Sequence, residues 1–255
     1  MKIVIKDKKK ELFISIFHVL KNASTDIHAN FSSTCLHIQG MDKSHICLFD
    51  LTLSKEWFDF YEIENEDNIH FNTNIFYSII SSKSDDQSLI IKKDDDDSLS
   101  IELINEFKKS EYNKYFKMPL LEYEYEEMSI PNIEYDCEMT LPSKKINDML
   151  SQLNNFSDNI TVKCCENFVD FITKGNSGEM RVNIPIDDMI SYAIVENEEV
   201  NLTYSLIYIH KMCISNKLSS DVDLCLSNEC PMKINYNLGN DSHLMFFIAP
   251  KLEDD

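Results

Sequence analysis

Apolar residues follow two kinds of spacing in the first half of the chain. Residues 1–6 alternate as a short strand, and residues 10–22 carry Phe13, Ile16, Phe17 and Leu20 at helical spacing, which predicts a helix. A second helix is predicted over residues 72–82 by the same criterion. Alternation predicts strands over residues 26–31, 35–41, 45–52, 57–63, 89–92 and 99–107, with a hairpin tip at 94–97.

The same order of elements recurs in the second half. A strand over residues 135–141 leads into a helix that Pro142 and Ser143 open and that ends near Asn154. A second helix is predicted over residues 205–215. Strands are predicted over residues 160–165, 168–174, 179–184, 199–203, 221–227, 232–238 and 243–249. The pattern therefore predicts an α+β fold made of two tandem-repeated, strand-rich domains with two short helices each.

A proline-bracketed stretch separates the two halves. Pro119 and Pro131 lie near its ends, and the run Glu122-Tyr123-Glu124-Tyr125 alternates carboxylates with rings. Because proline neither continues a helix nor sits inside a central ladder, this stretch is predicted to be an extended surface connector. The predicted division is an N-terminal domain over 1–117, a connector over 118–135 and a C-terminal domain over 136–255.

Composition indicates an ordinary globular protein in a reducing compartment. A hydrophobic content of 43%, with 15 Phe and 11 Tyr, is enough for a sizeable core. The eight cysteines form no C-x-x-C pair, so we expect reduced, mostly buried thiols and no zinc site. An N-terminal apolar run is too short for a signal peptide, and no stretch reaches transmembrane length, so no membrane partner is expected.

Motifs for catalysis are missing from the sequence. The run from Gly175 to Gly178 is not a nucleophile elbow, and the acidic tip at 94–97 lacks the spacing of a calcium loop. The seven histidines form no H-E-x-x-H motif, and four glycines offer no phosphate cradle. We therefore expect no enzyme, no catalytic residue, no metal and no cofactor.

Charge is distributed unevenly along the chain. With 44 acidic and 24 basic residues, the net charge of −20 would ordinarily exclude nucleic acid as a partner. Lysines nevertheless lie in or beside all four predicted helices, although any one of them could be an ordinary solvated position. If the helices share a face, an acidic protein presents a basic surface. The candidate DNA-binding residues are Lys8, Lys9, Lys10, Lys21, Lys83, Lys144, Lys145, Lys211 and Lys217.

Three segments, in order and nearly end to end, resemble one known family. They are the run from Gly40 to Leu53, the connector end with Ile130, Pro131, Tyr135 and Cys137, and the tail from His243 to Asp254. Together they resemble proliferating cell nuclear antigen, the eukaryotic sliding DNA clamps.

The resemblance implies a nuclear, homotrimeric ring of six similar domains, with helices lining the hole and sheets forming the outer wall. Such rings encircle duplex DNA without sequence preference and tether DNA polymerase and other replication and repair proteins. A separate ATP-driven clamp loader opens them, and they are not enzymes. The lysine lining only has to offset duplex repulsion, because phosphate contacts exchange readily with salt.

The resemblance also implies a pocket for partner peptides. Partners would present a short motif with a Gln, an aliphatic residue and two aromatic residues. The corresponding positions here are Met41, His45, Ile46, Leu48, Met128, Ile130, Pro131, Tyr135, Pro231, Phe247, Ile248, Ala249 and Pro250. Two buried rings supply several kcal/mol in such pockets, about 1.5–3 kcal/mol each.

Ring closure in the family pairs a strand that ends the first half with a strand in the second half of the neighbour. The candidates are residues 108–117 and 177–185, with Tyr115 or Phe116 of the first strand packing across and with Glu179 and Arg181 on the second. Lysines of the first strand would face Glu179 and Asp187. Such surface charge pairs contribute little each, so closure would rest on strand hydrogen bonds and apolar burial.

Two departures from the family affect the expectations. Glu166 occupies the position of the principal ubiquitin-acceptor lysine, which leaves Lys163 as the nearest candidate. Basic helix positions of the family are Ser78, Ser81, Ser151 and Ile214 here, so duplex attraction is expected to be weak. A subunit of a related heterotrimeric checkpoint clamp and a monomeric viral processivity factor are the alternatives, and native mass would separate them.

Overall fold

A computed structural model describes residues 1–84, 86–93, 95, 97–105, 112–122, 128–130, 133–228 and 230–251. The chain forms two compact units. The first comprises Met1–Met41, Phe49–Met128 and Leu238–Leu244, and the second comprises Asp42–Leu48, Ser129–Asn237 and Met245–Asp255. The first unit therefore includes a short segment from after the connector, Leu238–Leu244, and the second unit includes one from before it, Asp42–Leu48.

The first unit contains two helices and two antiparallel sheets. Its elements are β1 (Lys2–Ile5), α1 (Asp7–Ala23), β2 (Asp26–Phe31), β3 (Cys35–Met41), β4 (Cys47–Ser54), β5 (Phe60–Glu62), β6 (Asp67–Asn72), α2 (Thr73–Ser81), β7 (Gln87–Lys92), β8 (Ser98–Asn105) and β9 (Lys114–Pro119). One sheet has the order β5-β1-β7-β8-β9, and the other runs β4-β3-β2-β6 within this unit.

Helical spacing builds an aromatic core in the first unit. Helix α1 buries Phe13, Ile16 and Phe17, as its apolar stripe predicts. Helix α2 begins after Asn72, whose side chain accepts a hydrogen bond from the Ile75 backbone N–H at 3.0 Å, as in an ordinary N-cap. The two helices lie side by side, and their buried faces pack against the strands beneath them.

The second unit repeats this arrangement. Its elements are β10 (Cys137–Pro142), α3 (Ser143–Leu153), β11 (Asn159–Cys165), β12 (Phe168–Gly175), β13 (Gly178–Pro185), β14 (Ser191–Ile194), β15 (Val200–Ser205), α4 (Leu206–Met212), β16 (Asp221–Leu226), β17 (Met232–Gly239) and β18 (Ser242–Ile248). One sheet has the order β13-β12-β11-β15, and the other runs β14-β10-β16-β17-β18. Helices α3 and α4 are again neighbours.

Some elements differ from the sequence prediction. Strands β6 and β14 were not predicted, and the predicted strand over 57–63 is a 3-10 turn at Lys55–Trp57 followed by the short β5. The turn forms because the Trp57 side chain is buried, with its indole N–H donating to the Leu238 carbonyl at 3.2 Å. Strand β9 extends through Met118 and Pro119, the two residues that begin the predicted connector.

Several classes of feature are absent from the described part of the chain. None of its helices is long and apolar enough to cross a membrane. No group of three or more His, Cys, Asp or Glu residues within the described ranges is placed to hold a metal ion. All eight cysteines are free thiols. The acidic tip includes Asp94 and Asp96, which lie outside the described residues.

Candidate functional site

The candidate DNA-binding lysines of the first unit differ in their availability. Lys8 is exposed at the start of α1, and the Lys9 ammonium lies 3.9 Å from the Asp59 carboxylate. The Lys21 ammonium lies 4.1 Å from the centre of the Tyr77 ring, so it stays at the surface between α1 and α2. These three lysines can therefore contribute positive charge to the outer faces of the helices.

Lys10 does not fit its predicted role. Its side chain is only 2% exposed, and its ammonium donates a hydrogen bond to the Gln87 backbone carbonyl. A buried ammonium must be paired, so this residue serves the core and cannot reach a phosphate in this conformation. Lys83 is also a weak candidate, because its side chain is 9% exposed and is paired with Glu11.

The second unit presents its lysines more openly. Lys144 and Lys145 are exposed at the start of α3, and Lys211 and Lys217 are exposed in and after α4. Ile207 and Ile214 are 38% and 41% exposed beside them, so apolar side chains share this surface. The helices of this unit therefore present a modest positive charge.

Strand β9 ends its sheet in the first unit. Its backbone pairs with β8, with Ile101 opposite Phe116 and Glu102 opposite Tyr115, and it is last in the sheet order. Tyr115 is 67% exposed and Phe116 is partly exposed. Since an edge strand presents unpaired N–H and C=O groups, β9 can accept another strand.

Strand β13 ends a sheet of the second unit in the same way. It pairs with β12 and is first in the sheet order β13-β12-β11-β15. Arg181 donates to the buried Asp170 carboxylate at 2.6 Å, and Asn183 donates to the same group at 2.7 Å. Burial raises the pKa of Asp170, but these two hydrogen bonds and the Arg181 charge bring it below its usual value. The Arg181 guanidinium is thus held against the neighbouring strand β12, which carries Asp170.

An open apolar cavity of about 240 Å³ lies beside β13. Strand β13 contributes Val182 and Ile184 to its wall, and helix α3 contributes Ile146 and Met149. Leu141, Lys145, Asn183, Pro185 and Asp188 complete the lining. A cavity of this size and polarity can accept an aromatic side chain.

The candidate partner pocket lies mainly in the second unit. Many pocket residues lie on or next to strands β17, β18 and β4, which are neighbours because β18 lies between β17 and β4 in the sheet order. The Ala249 N–H donates to the Ile46 carbonyl at 2.9 Å, which ties the tail to the loop before β4. The Tyr135 hydroxyl donates to the Pro231 carbonyl at 3.2 Å, which ties the connector end to β17. Burial also raises the Tyr135 pKa, so this group stays a neutral donor.

Half-exposed side chains define what the pocket can offer. His45 is exposed, and eight further residues are partly exposed: Ile46, Leu48, Ile130, Tyr135, Pro231, Phe247, Ala249 and Pro250. Ile248 is 0% exposed, because side chains alternate along β18 and Phe247 takes the outer position. Ile248 therefore belongs to the core, and only its backbone is available to a ligand.

Three candidate pocket residues need separate mention. Met41 ends β3 in the first unit, and the Met128 N–H donates there to the Gln39 side chain at 2.8 Å. Pro131 lies outside the described residues, as do residues 123–127 of the connector.

Asp42 organises the loop that precedes β4. Its carboxylate accepts hydrogen bonds from the N–H groups of Ser44, Ile46 and Cys47 at 2.7–2.8 Å and from the Tyr208 hydroxyl at 2.7 Å. Burial raises the pKa of this carboxyl, but the hydrogen bonds outweigh burial and lower it below the usual value. The sequence analysis missed this role, although an Asp at the start of a polar loop is a known Asx-turn signal.

Two family models cover nearly the whole chain. The N-terminal domain model of proliferating cell nuclear antigen matches residues 4–127, and the C-terminal domain model matches residues 129–251. The chain belongs to the proliferating cell nuclear antigen family. It is a sliding DNA clamp, the function that the sequence predicted.

Relatives agree with this assignment. Proliferating cell nuclear antigen of Chaetomium thermophilum is 26% identical to the clamp over 245 residues, which is 94% of each chain. A crystal structure of proliferating cell nuclear antigen from Thermococcus kodakaraensis matches with a TM-score of 0.88 at 19% identity, covering 98% of the clamp and 99% of that chain. The predicted α+β clamp fold with two tandem domains is therefore confirmed.

Proposed function

We propose that this clamp closes into a homotrimeric ring by pairing β9 of one copy with β13 of the next. The observation that carries this proposal is that each of these strands ends its own sheet. Strand pairing between copies would continue a five-stranded sheet into a four-stranded one and satisfy both edges. The sequence predicted the same two strands, although residues 108–111 lie outside the described range.

Side chains on the two edges are complementary. Phe116, which is partly exposed and lies on the same face of the sheet as buried Ile101, would bury its ring in the cavity of about 240 Å³ beside β13. Burying one aromatic side chain contributes about 1.5–3 kcal/mol at each of the three boundaries. Lys117 of β9, on the opposite face of the strand from Phe116, would face Glu179 of β13, an arrangement that favours one register more than it adds affinity.

Native mass spectrometry tests ring closure. We expect a trimer of 29.8 kDa chains at micromolar concentration, and Phe116→Ala should raise the trimer dissociation constant at least about tenfold. Tyr112→Ala is the matched control, because Tyr112 is 89% exposed and precedes the paired part of β9. A wild-type protein that stays monomeric, or equal effects of the two variants, would contradict the proposed interface.

The helices α1–α4 would line the hole of this ring and face duplex DNA. Lys8, Lys9 and Lys21 in the first unit, and the four lysines of α3 and α4 in the second, would supply the positive charge. Because Lys10 is buried and Lys83 is paired with Glu11, we expect weaker duplex attraction than nine free lysines would give.

Salt titration of clamp binding to a short duplex tests this lining. We expect weak binding that falls steeply between about 50 and 200 mM salt, and Lys144→Ala with Lys145→Ala should reduce the salt slope by about 2. Lys55→Ala is the control, because this lysine is exposed and belongs to none of the four helices; it lies on the 3-10 turn after β4. Binding that ignores salt, or a control that lowers the slope equally, would count against the lining.

The partner pocket would capture short peptides from DNA polymerase and other replication and repair proteins. Exposed or partly exposed apolar groups on the loop, the connector end and the tail support this role. A peptide with a Gln, an aliphatic residue and two aromatic residues should bind, and Leu48→Ala or Phe247→Ala should weaken it by about tenfold or more. Phe60→Ala is the control, because Phe60 is 44% exposed on β5.

The remaining parts of the proposal follow from the clamp role. We propose that an ATP-driven loader opens the closed ring to admit DNA and that the clamp acts in the nucleus. Clamps of this family act as processivity factors and carry out no catalysis themselves. The predicted boundaries 1–117, 118–135 and 136–255 stay as proposed, with β9 extending to Pro119.

A further inference from the structure

One carboxylate holds the loop between β3 and β4 in a single conformation. Asp42 is 6% exposed and accepts four hydrogen bonds, three of them from N–H groups of its own loop. The backbone adds bonds from the Asp42 N–H to the Cys47 carbonyl at 2.9 Å and from the His45 N–H to the Asp42 carbonyl at 3.0 Å. The loop is thus closed on itself around one charged group.

The loop contains a strained residue that needs such support. His45 has a φ of 55°, a left-handed conformation that costs a residue with a side chain about 1 kcal/mol or more. His45 is exposed at the tip, and Ile46 beside it accepts a hydrogen bond from the Ala249 N–H. The strained conformation of His45 therefore positions the Ile46 carbonyl for its hydrogen bond with the tail.

The fourth hydrogen bond comes from outside the loop. Tyr208 lies on helix α4, and its hydroxyl donates to Asp42 Oδ2 at 2.7 Å. The Lys211 ammonium lies 5.7 Å from the centre of the Tyr208 ring, one turn along the same helix. Tyr208 thus joins a helix that carries candidate DNA-facing lysines to the loop that carries the candidate pocket.

We propose that Asp42 and Tyr208 are positioning residues for partner binding, which hold the loop Asp42–Leu48 in its peptide-accepting conformation before the peptide arrives. This inference rests on the proposed partner pocket. A loop fixed in advance avoids the entropy cost of ordering on binding, so its loss weakens affinity without removing any contact. The partner is the double-aromatic peptide already described.

Two variants loosen the loop without touching the pocket wall. Tyr208→Phe removes one hydrogen bond to a charged group, and Asp42→Asn removes the charge and one acceptor while keeping the shape of the side chain. We expect the peptide Kd to rise about fivefold for Tyr208→Phe and about thirtyfold for Asp42→Asn. The matched control is Tyr192→Phe, which removes a 2.7 Å hydrogen bond to the Cys165 carbonyl elsewhere in the second unit.

Amide hydrogen exchange supplies a readout that general destabilisation would not give. In the free clamp, the N–H groups of Ser44, Ile46 and Cys47 should exchange faster in both variants than in wild type. Exchange in α3 and β11 should stay as in wild type. The peptide's association should slow more than its dissociation speeds up, because the loop must first reach the competent conformation.

The outcomes separate the two proposals. If the wild-type clamp ignores the peptide, the pocket itself is wrong and this inference falls with it. If wild type binds but Tyr208→Phe and Asp42→Asn bind equally well, only the positioning role is overturned. Equal losses in Tyr192→Phe and Tyr208→Phe would also overturn it, because a global effect would then explain both.

Discussion

The two units build the same arrangement of elements around different cores. In the first unit, the centre of the Phe76 ring lies 4.6 Å from that of Phe17 and 4.9 Å from that of Phe71, with the rings tilted. Phe13 and Trp57 extend the cluster. The second unit holds seven of the eight cysteines, among them the fully buried Cys137 and Cys164, and its helices bury aliphatic residues and methionines. Side-chain identity has thus diverged while the pattern of buried positions has stayed.

Histidines, unlike cysteines, are concentrated in the first unit. His18, His28, His37, His70 and His243 belong to the first unit, whereas His45 and His210 belong to the second. In the first unit, His37 lies 2.9 Å and His243 lies 3.7 Å from the buried Asp50 carboxylate. Burial raises the pKa of Asp50, but the two histidines lower it to about 2. This fold therefore requires buried side-chain volume at set positions and tolerates different side-chain types there.

The units can be followed separately in one experiment. Trp57 is the one tryptophan of the chain, so its fluorescence reports on the first unit. The buried thiols of Cys164 and Cys213 report on the second unit through their protection from alkylation. Burial also raises the pKa of Cys213 to about 12, so this thiol is unreactive until its surroundings open.

The largest expected effect is loss of the central ring of the aromatic cluster. Phe76 is 2% exposed, so Phe76→Ala should lower the free energy of unfolding reported by Trp57 by about 3–5 kcal/mol. Phe76→Leu should cost about 1.5 kcal/mol or less. Denaturant titration with both probes provides the measurement.

The counterpart in the second unit is Leu150 of α3, which is 0% exposed. Leu150→Ala should expose the thiols at lower denaturant and cost about 2–5 kcal/mol. If Phe76→Ala shifted thiol protection more than Trp57 fluorescence, the contrast between two separate cores would be wrong.

The next effect concerns one tightly packed glycine in each unit. A Cβ on Gly175 would lie 2.1 Å from the Phe156 backbone carbonyl oxygen, whereas a Cβ on Gly40 would lie 2.4 Å from the Phe49 ring. Each Gly→Ala change should cost about 1–3 kcal/mol by overpacking.

Rescue distinguishes the two glycines. A smaller side chain in Phe49→Leu should restore part of the stability lost in Gly40→Ala, because a side chain is the obstacle. For Gly175→Ala the obstacle is backbone, so Phe156→Leu should restore nothing. Thermal unfolding of the single and double variants measures this, and rescue at Gly175 would refute the packing explanation.

Sequence patterns predicted most of the elements because buried stripes and alternations are local. The stripe through Phe13 and Phe17 located α1 within a few residues. Strand β6 was missed because only Ile69 and Phe71 are buried among its six residues, and β14 was missed because it has four residues. A strand with so weak a local pattern forms because it pairs with a strand that is distant in the sequence. In β6, for example, His70 lies opposite His28 of β2.

The candidate site was predictable only in part. The pocket positions came from a family resemblance, and the alternation along β18 then placed Phe247 outside and Ile248 inside. Lys10 was misassigned because its partner is the Gln87 carbonyl, which lies 77 residues away in the chain. The Asp42 and Tyr208 hydrogen bond spans 166 residues, so no local pattern could indicate it.

Acid should destabilise the first unit more than the second. Burial lowers the pKa of His28, with further lowering by His70 and His37, and burial also lowers the pKa of His70. Below the unfolded value of about 6.5, the unfolded chain binds protons that the folded unit resists, so stability falls as pH decreases.

Unfolding of the first unit, followed by Trp57 at about pH 7.5 and about pH 5.5, tests the acid effect. Replacing His28→Gln together with His70→Gln should flatten the loss of stability at the lower pH. His210→Gln, in the second unit, is the control and should leave the Trp57 profile unchanged. A wild-type profile that stays flat or rises toward the lower pH would contradict this prediction.

The smallest effect concerns a lysine over a tyrosine ring in each unit. The Lys21 ammonium lies 4.1 Å from the Tyr77 ring and joins α1 to α2, whereas the Lys211 ammonium lies 5.7 Å from Tyr208 on the same helix. A double-mutant cycle with Lys21→Ala and Tyr77→Leu, read by Trp57 fluorescence, should give a coupling of about 0.5–1 kcal/mol. The Lys211→Ala and Tyr208→Leu cycle, read by thiol protection, should give less, because attraction to the ring weakens with distance. Lys21→Arg should retain most of the coupling, since a guanidinium also stacks on the ring. A larger coupling in the second unit would mean that the closer ring contact of the first unit is not what stabilises its helix pair.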